Sequence, residues 1–262
     1  MDLDGTLLDP AGAVTPRTRA ALADVADAGI DVLIVTARPP RAVDHLAGLV
    51  AAHGVVLCAN GAFTYDLAQR AVVAAQCLDP AVVAAIIADL RNAIPGIAVA
   101  VETRDGMRAE PGYPPLHRED LVRIPHLTVT AVGDGVGKLL ARPTRPLGPD
   151  PQRADDYLEA VRATVGDRAL VTQSGSGDLA EIGPPGVTKA SAVADWCAAR
   201  GVAAADVWAF GDMPNDLPLL RWAGRSFAVA NAHPAVLAAA AEVCGSNAED
   251  GVAAVLERML AD

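Results

Sequence analysis

The sequence predicts an α/β protein built on a parallel sheet, with an α+β region inserted near its middle. Three observations carry this expectation. Short apolar runs alternate with helix-like stretches at both ends of the chain, the rhythm of βαβ units. Between about residues 78 and 181 alternating segments and tight turns replace that rhythm. Polar clusters also recur just beyond the C-terminal ends of the apolar runs, where open parallel sheets bind ligands.

Length and composition bound the reading. The chain has 262 residues, enough for one large domain or two ordinary ones. Hydrophobic residues make up 52% and charged residues 20%, so a sizeable core is expected. With aromatics at 3%, Ala, Val and Leu must fill it. A net charge of −11 argues against a general nucleic-acid or anionic-membrane binder. An anionic substrate would need local cations. Cys58, Cys77, Cys197 and Cys244 are scattered without a Cys-x-x-Cys pair, which fits reduced thiols better than zinc or disulfides. The acidic N-terminal stretch lacks a secretory pattern. Apolar stretches such as Ala81–Ala88 are too short to span a bilayer. A soluble, cytoplasmic protein is the expectation.

The elements follow in order. Thr15-Pro16 opens a helix by an N-cap hydroxyl and a first-turn proline, and Gly29 closes it. Ile30–Val35 is a nearly unbroken apolar run, as in a strand buried on both faces. A second helix is expected over 41–52, then a strand over Val55–Cys58 and a turn at Asn60-Gly61. In the insert, a helix is expected from Pro80 to Asn92 and a strand over Gly96–Thr103. A turn at Arg104-Asp105-Gly106 and strands over 127–132 and 138–142 follow. A helix over Ala154–Val165 precedes a hairpin of 170–173 with 178–182. The first rhythm then resumes. A helix opened by Thr188 or Lys189 runs to Arg200, followed by a strand over Val207–Phe210 and a helix to Ala223. A strand over Phe227–Ala230 and helices near 234–241 and 251–260 complete the chain. The whole reads as a Rossmann-like parallel-sheet core with helices on both faces, residues 1–77 and 182–262, and an inserted α+β region, residues 78–181.

The chemistry collects at three places. Asp2 and Asp4 stand two apart, so an extended segment points both to one side. Gly5 then permits a sharp turn before Thr6. Thr36 and Arg38 follow the apolar run Ile30–Val35, and Asp212, Asn215 and Asp216 follow the strand at 207–210. Lys189 opens a helix. Carboxylates without a histidine cluster favour a hard, oxygen-seeking cation, Mg²⁺ before others. Lysine, threonine and a helix N-terminus beside such a cation favour phosphate. A carboxylate can attack phosphorus.

These residues resemble the haloacid dehalogenase-like phosphatases. Asp2-Leu3-Asp4-Gly5-Thr6-Leu7 looks like their first motif, Thr36 the second, Lys189 the third and Gly211-Asp212-x-x-Asn215-Asp216 the fourth. Asn60-Gly61-Ala62, Glu181-Ile182, Gly186-Val187-Thr188-Lys189, Asn231-Ala232 and Glu249-Asp250-Gly251-Val252 resemble the Cof-type (IIB) subclass. The resemblance implies a Mg²⁺-dependent phosphatase of a small phosphorylated metabolite, a sugar phosphate or phosphorylated cofactor. It implies Asp2 as nucleophile and Asp4 as acid and then base. The metal set would be Asp2, Asp4 through its backbone carbonyl, Asp212 and Asp216. Phosphate or substrate would meet Thr36, Ala37, Arg38, Lys189 and Asn215. The insert would be a substrate-specificity cap. Neither nucleic acid nor membrane is expected as partner, and oligomeric state is not readable.

Other readings stand beside these. Arg38 fits simple ion pairing as well as phosphate binding, and Asn60 fits a turn as well as a substrate contact. Asp9 reads as a turn residue. Gly133–Lys138 lacks the spacing of a phosphate loop and reads as a β-turn. The five histidines show no metal spacing. Relatives of this kind carry several apolar residues before the nucleophile, whereas Met1 alone precedes Asp2. A form extended upstream by a short apolar segment is therefore expected to be more stable and more active. A phosphomutase and a non-catalytic metabolite-binding protein are the competing functions; phosphate release into water, abolished by Asp2→Asn, separates the phosphatase from both.

Overall fold

The computed structural model describes residues 1–49, 53–113, 121–123, 135–148, 150–174 and 177–261, with 121–123 as backbone alone. The chain divides into two compact units, Met1–Val73 with Thr188–Asp262, and Ala74–Val187.

In the first unit, helix α1 (Pro16–Asp27) begins where the Thr15 hydroxyl accepts the Thr18 N–H at 3.1 Å, and it buries Ala21, Leu22 and Val25. Strand β1 is only Ile34–Val35. It runs parallel to β2 (Val55–Cys58), with Ile34 opposite Val56. Strands β3 (Phe63–Asp66) and β4 (Ala71–Ala75) extend this sheet in the order β1-β2-β3-β4, with β3 antiparallel to β2. Neither stretch is assigned an element from the sequence. The helix expected over 41–52 is absent from its described part. Two 3₁₀ turns, Pro40–Ala42 and Asp44–Leu46, stand there instead, broken at Val43 (φ −120°). The Asp44 carboxylate is held by the Tyr65 hydroxyl at 2.7 Å. That contact fixes a turn where periodicity suggested a helix.

The second unit contains α2 (Pro80–Ala93), β5 (Ile97–Thr103), β6 (Gly106–Ala109), β7 (Leu121–Arg123), β8 (Val136–Pro143), α3 (Pro151–Val165), β9 (Leu170–Thr172) and β10 (Ala180–Gly183). The strand order is β7-β6-β5-β8-β10-β9, with β6 parallel to β7 and the other pairs antiparallel. Asp79 and Asp150 cap the two helices. The helices and one sheet face share a core that includes Ile86, Leu90, Val99, Val101, Leu139 and Val161. Residues of the opposite parity, Ala98, Ala100 and Leu140, form a smaller apolar cluster. Lys138 and Glu181 make a buried ion pair at 2.6 Å. Strand β10 runs past residue 181, where the sequence boundary was drawn, because Ile182 and Gly183 still pair with β9. The strand expected over 127–132 lies outside the described residues.

The first unit resumes with α4 (Lys189–Ala198), β11 (Trp208–Gly211), α5 (Leu217–Trp222), β12 (Arg225–Val229), α6 (Pro234–Leu237), β13 (Glu242–Cys244) and α7 (Gly251–Ala261). β11, β12 and β13 are parallel. Phe210 and Phe227 stack between β11 and β12 at 4.9 Å. The helix expected over 234–241 stops at Leu237, because residues 242–244 extend to pair with β12. Helix α1 packs on α7 and α4 on α5. Met1 and Asp2 link the two parallel sets. The Met1 amine donates to the Leu33 carbonyl at 2.7 Å, Val35 N–H to the Met1 carbonyl at 3.0 Å, and Asp2 N–H to the Phe210 carbonyl at 3.0 Å.

Candidate active site

The segment after Asp2 folds back at once. The Leu3 carbonyl accepts from the N–H groups of Leu7 and Leu8, at 3.0 and 2.9 Å. Gly5 has φ +78°, and a Cβ there would collide with the Asp212 carboxylate. The glycine is thus required by both turn and close approach. Thr6 Oγ1 donates to Asp212 Oδ1 at 2.8 Å, joining the first and fourth motifs. Asn231 Nδ2 donates to the Gly5 carbonyl at 2.8 Å, and Asn247 Nδ2 to the Leu8 carbonyl at 2.7 Å. Asn247 N–H in turn donates to Asn231 Oδ1. The sequence places Thr6 and Asn231 in motifs without a role of their own and does not single out Asn247; two and three residues past parallel strands, Asn231 and Asn247 cannot be told from surface turns by position.

Lys189 is the hinge of the cluster. A capping box of Thr188 with Ser191 starts α4. Lys189 follows as its first helical residue, 2% exposed. Its ammonium donates to Asp2 Oδ1 and to Asp216 Oδ1, each at 2.7 Å. Asp216 Oδ2 accepts the N–H groups of Asp212 and Met213, at 3.1 and 3.0 Å, closing the loop after β11. A Cβ at Gly211 would come within 2.5 Å of the Asp216 Cβ, so only glycine fits that loop.

Carboxylate oxygens of Asp2, Asp212 and Asp216 lie within 4.8 Å of one another. All three residues are buried. Three carboxylates against one ammonium leave an excess of negative charge away from water, which is costly. Burial pushes the Asp2 carboxyl up to about 8, against the pull of Lys189. Burial also raises Asp212. Burial acts to lower the Lys189 ammonium, but Asp2 and Asp216 outweigh it and hold it above its ordinary value. The donor set is hard oxygen with no sulfur or imidazole, and it is short of positive charge. These residues fit a divalent cation. Asp216 already serves Lys189 and two backbone N–H groups, so Asp2 and Asp212 have the greater capacity to bind one.

Thr36 is buried just past β1, and its Oγ1 accepts the Arg38 N–H at 3.1 Å. Its hydroxyl proton therefore points elsewhere. Ala37 lies between them in the same turn. The Arg38 guanidinium clamps Asp4 with two hydrogen bonds, Nε to Oδ2 at 2.8 Å and Nη2 to Oδ1 at 2.6 Å. The Asp4 side chain is more than half exposed, whereas Asp2, Asp212 and Asp216 are buried. Asn215 Nδ2 donates to Asn60 Oδ1 at 3.1 Å, and the buried Asn215 Oδ1 has no partner among the described residues. Ala59 and Asn60 both hold positive φ, 52° and 59°. Their N–H groups donate to the carbonyls of Arg38 and Thr36. These two residues adopt the left-handed conformation in a loop bonded to Thr36, and Asn60, read from the sequence equally as a turn residue and a substrate contact, lies against Asn215.

The Glu249-Asp250-Gly251 segment has a supporting role. Asp250 Oδ1 accepts from Thr15 and Thr18, and Ser246 with Glu249 forms a capping box. A Cβ on Gly251 would run into the Gly245 carbonyl. This segment ties α1 to α7 and contributes no side chain to the cluster.

A parallel-sheet unit with carboxylates gathered beyond its strands, interrupted by a large α+β unit, defines a class of α/β hydrolases. A model of the haloacid dehalogenase-like hydrolases matches residues 1–256, and the chain belongs to that family, among its Cof-type phosphatases. It is 29% identical to the pyridoxal phosphate phosphatase YbhA of Escherichia coli, over 97% of this chain and 94% of that protein. It is 27% identical to the 5-amino-6-(5-phospho-D-ribitylamino)uracil phosphatase YwtE of Bacillus subtilis, over 99% of this chain and 96% of that one. Among solved structures, the subclass IIB sugar phosphatase BT4131 has the same fold. Its TM-score is 0.78 at 19% identity, over 98% of this chain and 96% of that one. The chain is a phosphoric monoester hydrolase. Among the described residues, no helix is long and apolar enough to cross a membrane.

Proposed function

We propose that the chain is a Mg²⁺-dependent phosphatase that cleaves a small phosphorylated metabolite through a phosphoryl group carried on Asp2. The observation that supports this best is the Lys189 ammonium held at 2.7 Å from both Asp2 and Asp216, within a cluster that also contains Asp212. Asp2 Oδ2 takes no part in the Lys189 contact and is the attacking atom. It forms a bond to phosphorus as the bond from phosphorus to the ester oxygen breaks. The leaving oxygen takes a proton from Asp4. A water then attacks the same phosphorus, gives its proton to Asp4, and releases Asp2 and inorganic phosphate. Thr36 offers its hydroxyl proton, and Lys189 its ammonium, to the phosphoryl oxygens. For Asp4 to act, its carboxyl must leave the Arg38 clamp, and a phosphate competing for Arg38 would release it. Mg²⁺, held by Asp2, Asp212 and the Asp4 backbone carbonyl with Asp216 in support, would neutralise charge between nucleophile and phosphoryl group. Asn215 and Asn60 brace Thr36 and the neighbouring loop.

The Ala74–Val187 unit serves as the substrate-specificity cap. The relatives named above suggest a phosphorylated cofactor, a phosphoribitylaminouracil or a sugar phosphate as substrate classes. Phosphate release from a panel of such monoesters, with Mg²⁺ and with chelator, tests the reading. Mg²⁺-dependent release that Asp2→Asn abolishes supports it. Return of the phosphoryl group to a second position of the substrate, with no phosphate freed, would assign a mutase instead.

A further inference from the structure

Three motifs of the cluster meet on one short loop. Ala59–Gly61 follows β2, and Asn60 at its centre is 7% exposed. The Asn60 N–H donates to the Thr36 carbonyl at 2.9 Å, which fastens the loop to the turn after β1. Gly61 lies against the helix that begins at Lys189. A Cβ there would come within 2.5 Å of the Ala192 Cβ and 2.9 Å of the Thr188 carbonyl oxygen. The Asn60 side chain meets the third motif, accepting from Asn215 Nδ2 at 3.1 Å.

The Asn60 backbone is left-handed, with φ 59° and ψ 26°. Glycine adopts that conformation freely and asparagine at small cost. A residue needed only for the turn could therefore be glycine. The side chain adds what glycine lacks. A carboxamide has a donor end and an acceptor end of nearly the same shape, so its neighbours decide which way round it sits. Asn60 Oδ1 decides it for Asn215. Turned over, Asn215 would oppose its own oxygen to Asn60 Oδ1. The orientation is kept although Asn215, 9% exposed, has no partner for Oδ1 among the described residues. The Asn215 nitrogen carries two protons, and Asn60 takes one of them.

We propose, resting on the phosphatase reading above, that Asn60 is a positioning residue for phosphoryl recognition: it fixes the Asn215 carboxamide with its nitrogen toward the loop bonded to Thr36, one proton given to Asn60 and the second left to donate to a phosphoryl oxygen. Asn60 itself touches no part of the substrate. The phosphoryl group then meets donors from three motifs, Thr36, Lys189 and Asn215, and the 59–61 loop sets their spacing. Every monoester presents the same phosphoryl end, so Asn60 acts alike on all of them.

The test is a cycle of Asn60→Gly, Asn215→Ala and the double variant. Calorimetry measures the binding of inorganic phosphate in the presence of Mg²⁺, and steady-state kinetics follow two monoesters with unlike leaving groups. Asn60→Gly keeps the left-handed backbone and is expected to fold. Its affinity for phosphate should fall about tenfold, and KM should rise about tenfold for both esters. The double variant should bind phosphate no more weakly than Asn215→Ala. Phosphate binding by Asn60→Gly equal to that of the unaltered chain would overturn the proposal and leave a turn residue. A loss confined to one ester, with phosphate binding unchanged, would overturn it in favour of a direct contact to the leaving group. Additive losses in the double variant would overturn it as well. If Asn60→Gly does not fold, side-chain amide spectra of the unaltered chain decide: added phosphate should shift the Asn215 Nδ2 resonance, and an unmoved resonance would overturn the proposal. Phosphate binding by the unaltered chain without phosphate release from any monoester would count against the phosphatase reading alone, and no phosphate binding at all would overturn both.

Discussion

Lys189→Met removes the charge and nearly preserves the length of a side chain that is 2% exposed. Two ion pairs at 2.7 Å disappear, and Asp2 and Asp216 remain buried without a cation. Removing one partner of a buried pair costs about 3–5 kcal/mol, because the other charge stays desolvated. That is a large part of the roughly 5–15 kcal/mol that holds a typical domain together. The cost should depend on pH in a definite direction. Burial already lifts Asp2 to about 8 with the ammonium present, and without it the carboxyl must rise further. A carboxyl whose folded value lies above its unfolded value favours folding least when ionised. The penalty is therefore small near pH 5, where the site takes up protons, and largest above pH 8. Urea unfolding in chelator at pH 5.5 and pH 8.5 measures it. Tryptophan fluorescence is the suitable probe, because Trp196, Trp208 and Trp222 all lie in the first unit. Adding Asp216→Asn should recover part of the loss. A loss below about 1 kcal/mol, or an equal loss at both pH values, would refute the electrostatic account of the cluster.

Three further outcomes follow from the same geometry. Because burial holds the Asp2 carboxyl up to about 8, Mg²⁺ binding at pH 7 should release a proton; calorimetry in buffers of different ionisation enthalpy detects it, and a heat independent of buffer would contradict it. Arg38→Met removes a clamp on the half-exposed Asp4, so stability should change by less than about 1 kcal/mol while kcat/KM falls roughly tenfold or more. Melting and steady-state kinetics on the same protein separate that from a folding defect, which would show a large loss of stability with unchanged activity. Asn231→Ala frees the Gly5 carbonyl and the Asn247 N–H, and should cost about 1 kcal/mol with roughly a tenfold loss in kcat; unchanged kcat would show that the turn after Asp2 needs no such support.

Much of the fold could be read from local chemistry. Thr15-Pro16 announced a helix through the cap that the structure contains, and the helices expected from Pro80 and from Lys189 are also present. The apolar runs at 55–58 and 207–210 announced strands. What escaped was decided by contacts distant in sequence. Strand β13 exists because Glu242–Cys244 finds an edge on β12, not because of its own propensity. The stretch after Pro40 turns instead of continuing as a helix, with Asp44 bonded to Tyr65. At the site, residue types foretold which charges gather but not how they pair. The sequence shows Arg38 and Asp4 as two separate motif members; the geometry makes them one bidentate pair. Asn60 reads from the sequence equally as a turn residue and as a substrate contact, and only the structure shows its buried αL conformation with Asn215 against it. Pairings that span more than a hundred residues, such as Thr6 with Asp212, leave no periodic trace in the chain.

Asp2 as the atom that carries phosphorus is the centre of the account. The direct measurement is acid quenching of the enzyme during turnover of a monoester, followed by proteolysis and mass spectrometry of the acid-stable acyl phosphate. The account predicts a phosphoryl group on the peptide that contains Asp2, formed at the rate of turnover and absent in Asp2→Asn. A phosphoryl group on any other residue, or undiminished turnover in Asp2→Asn, would contradict it.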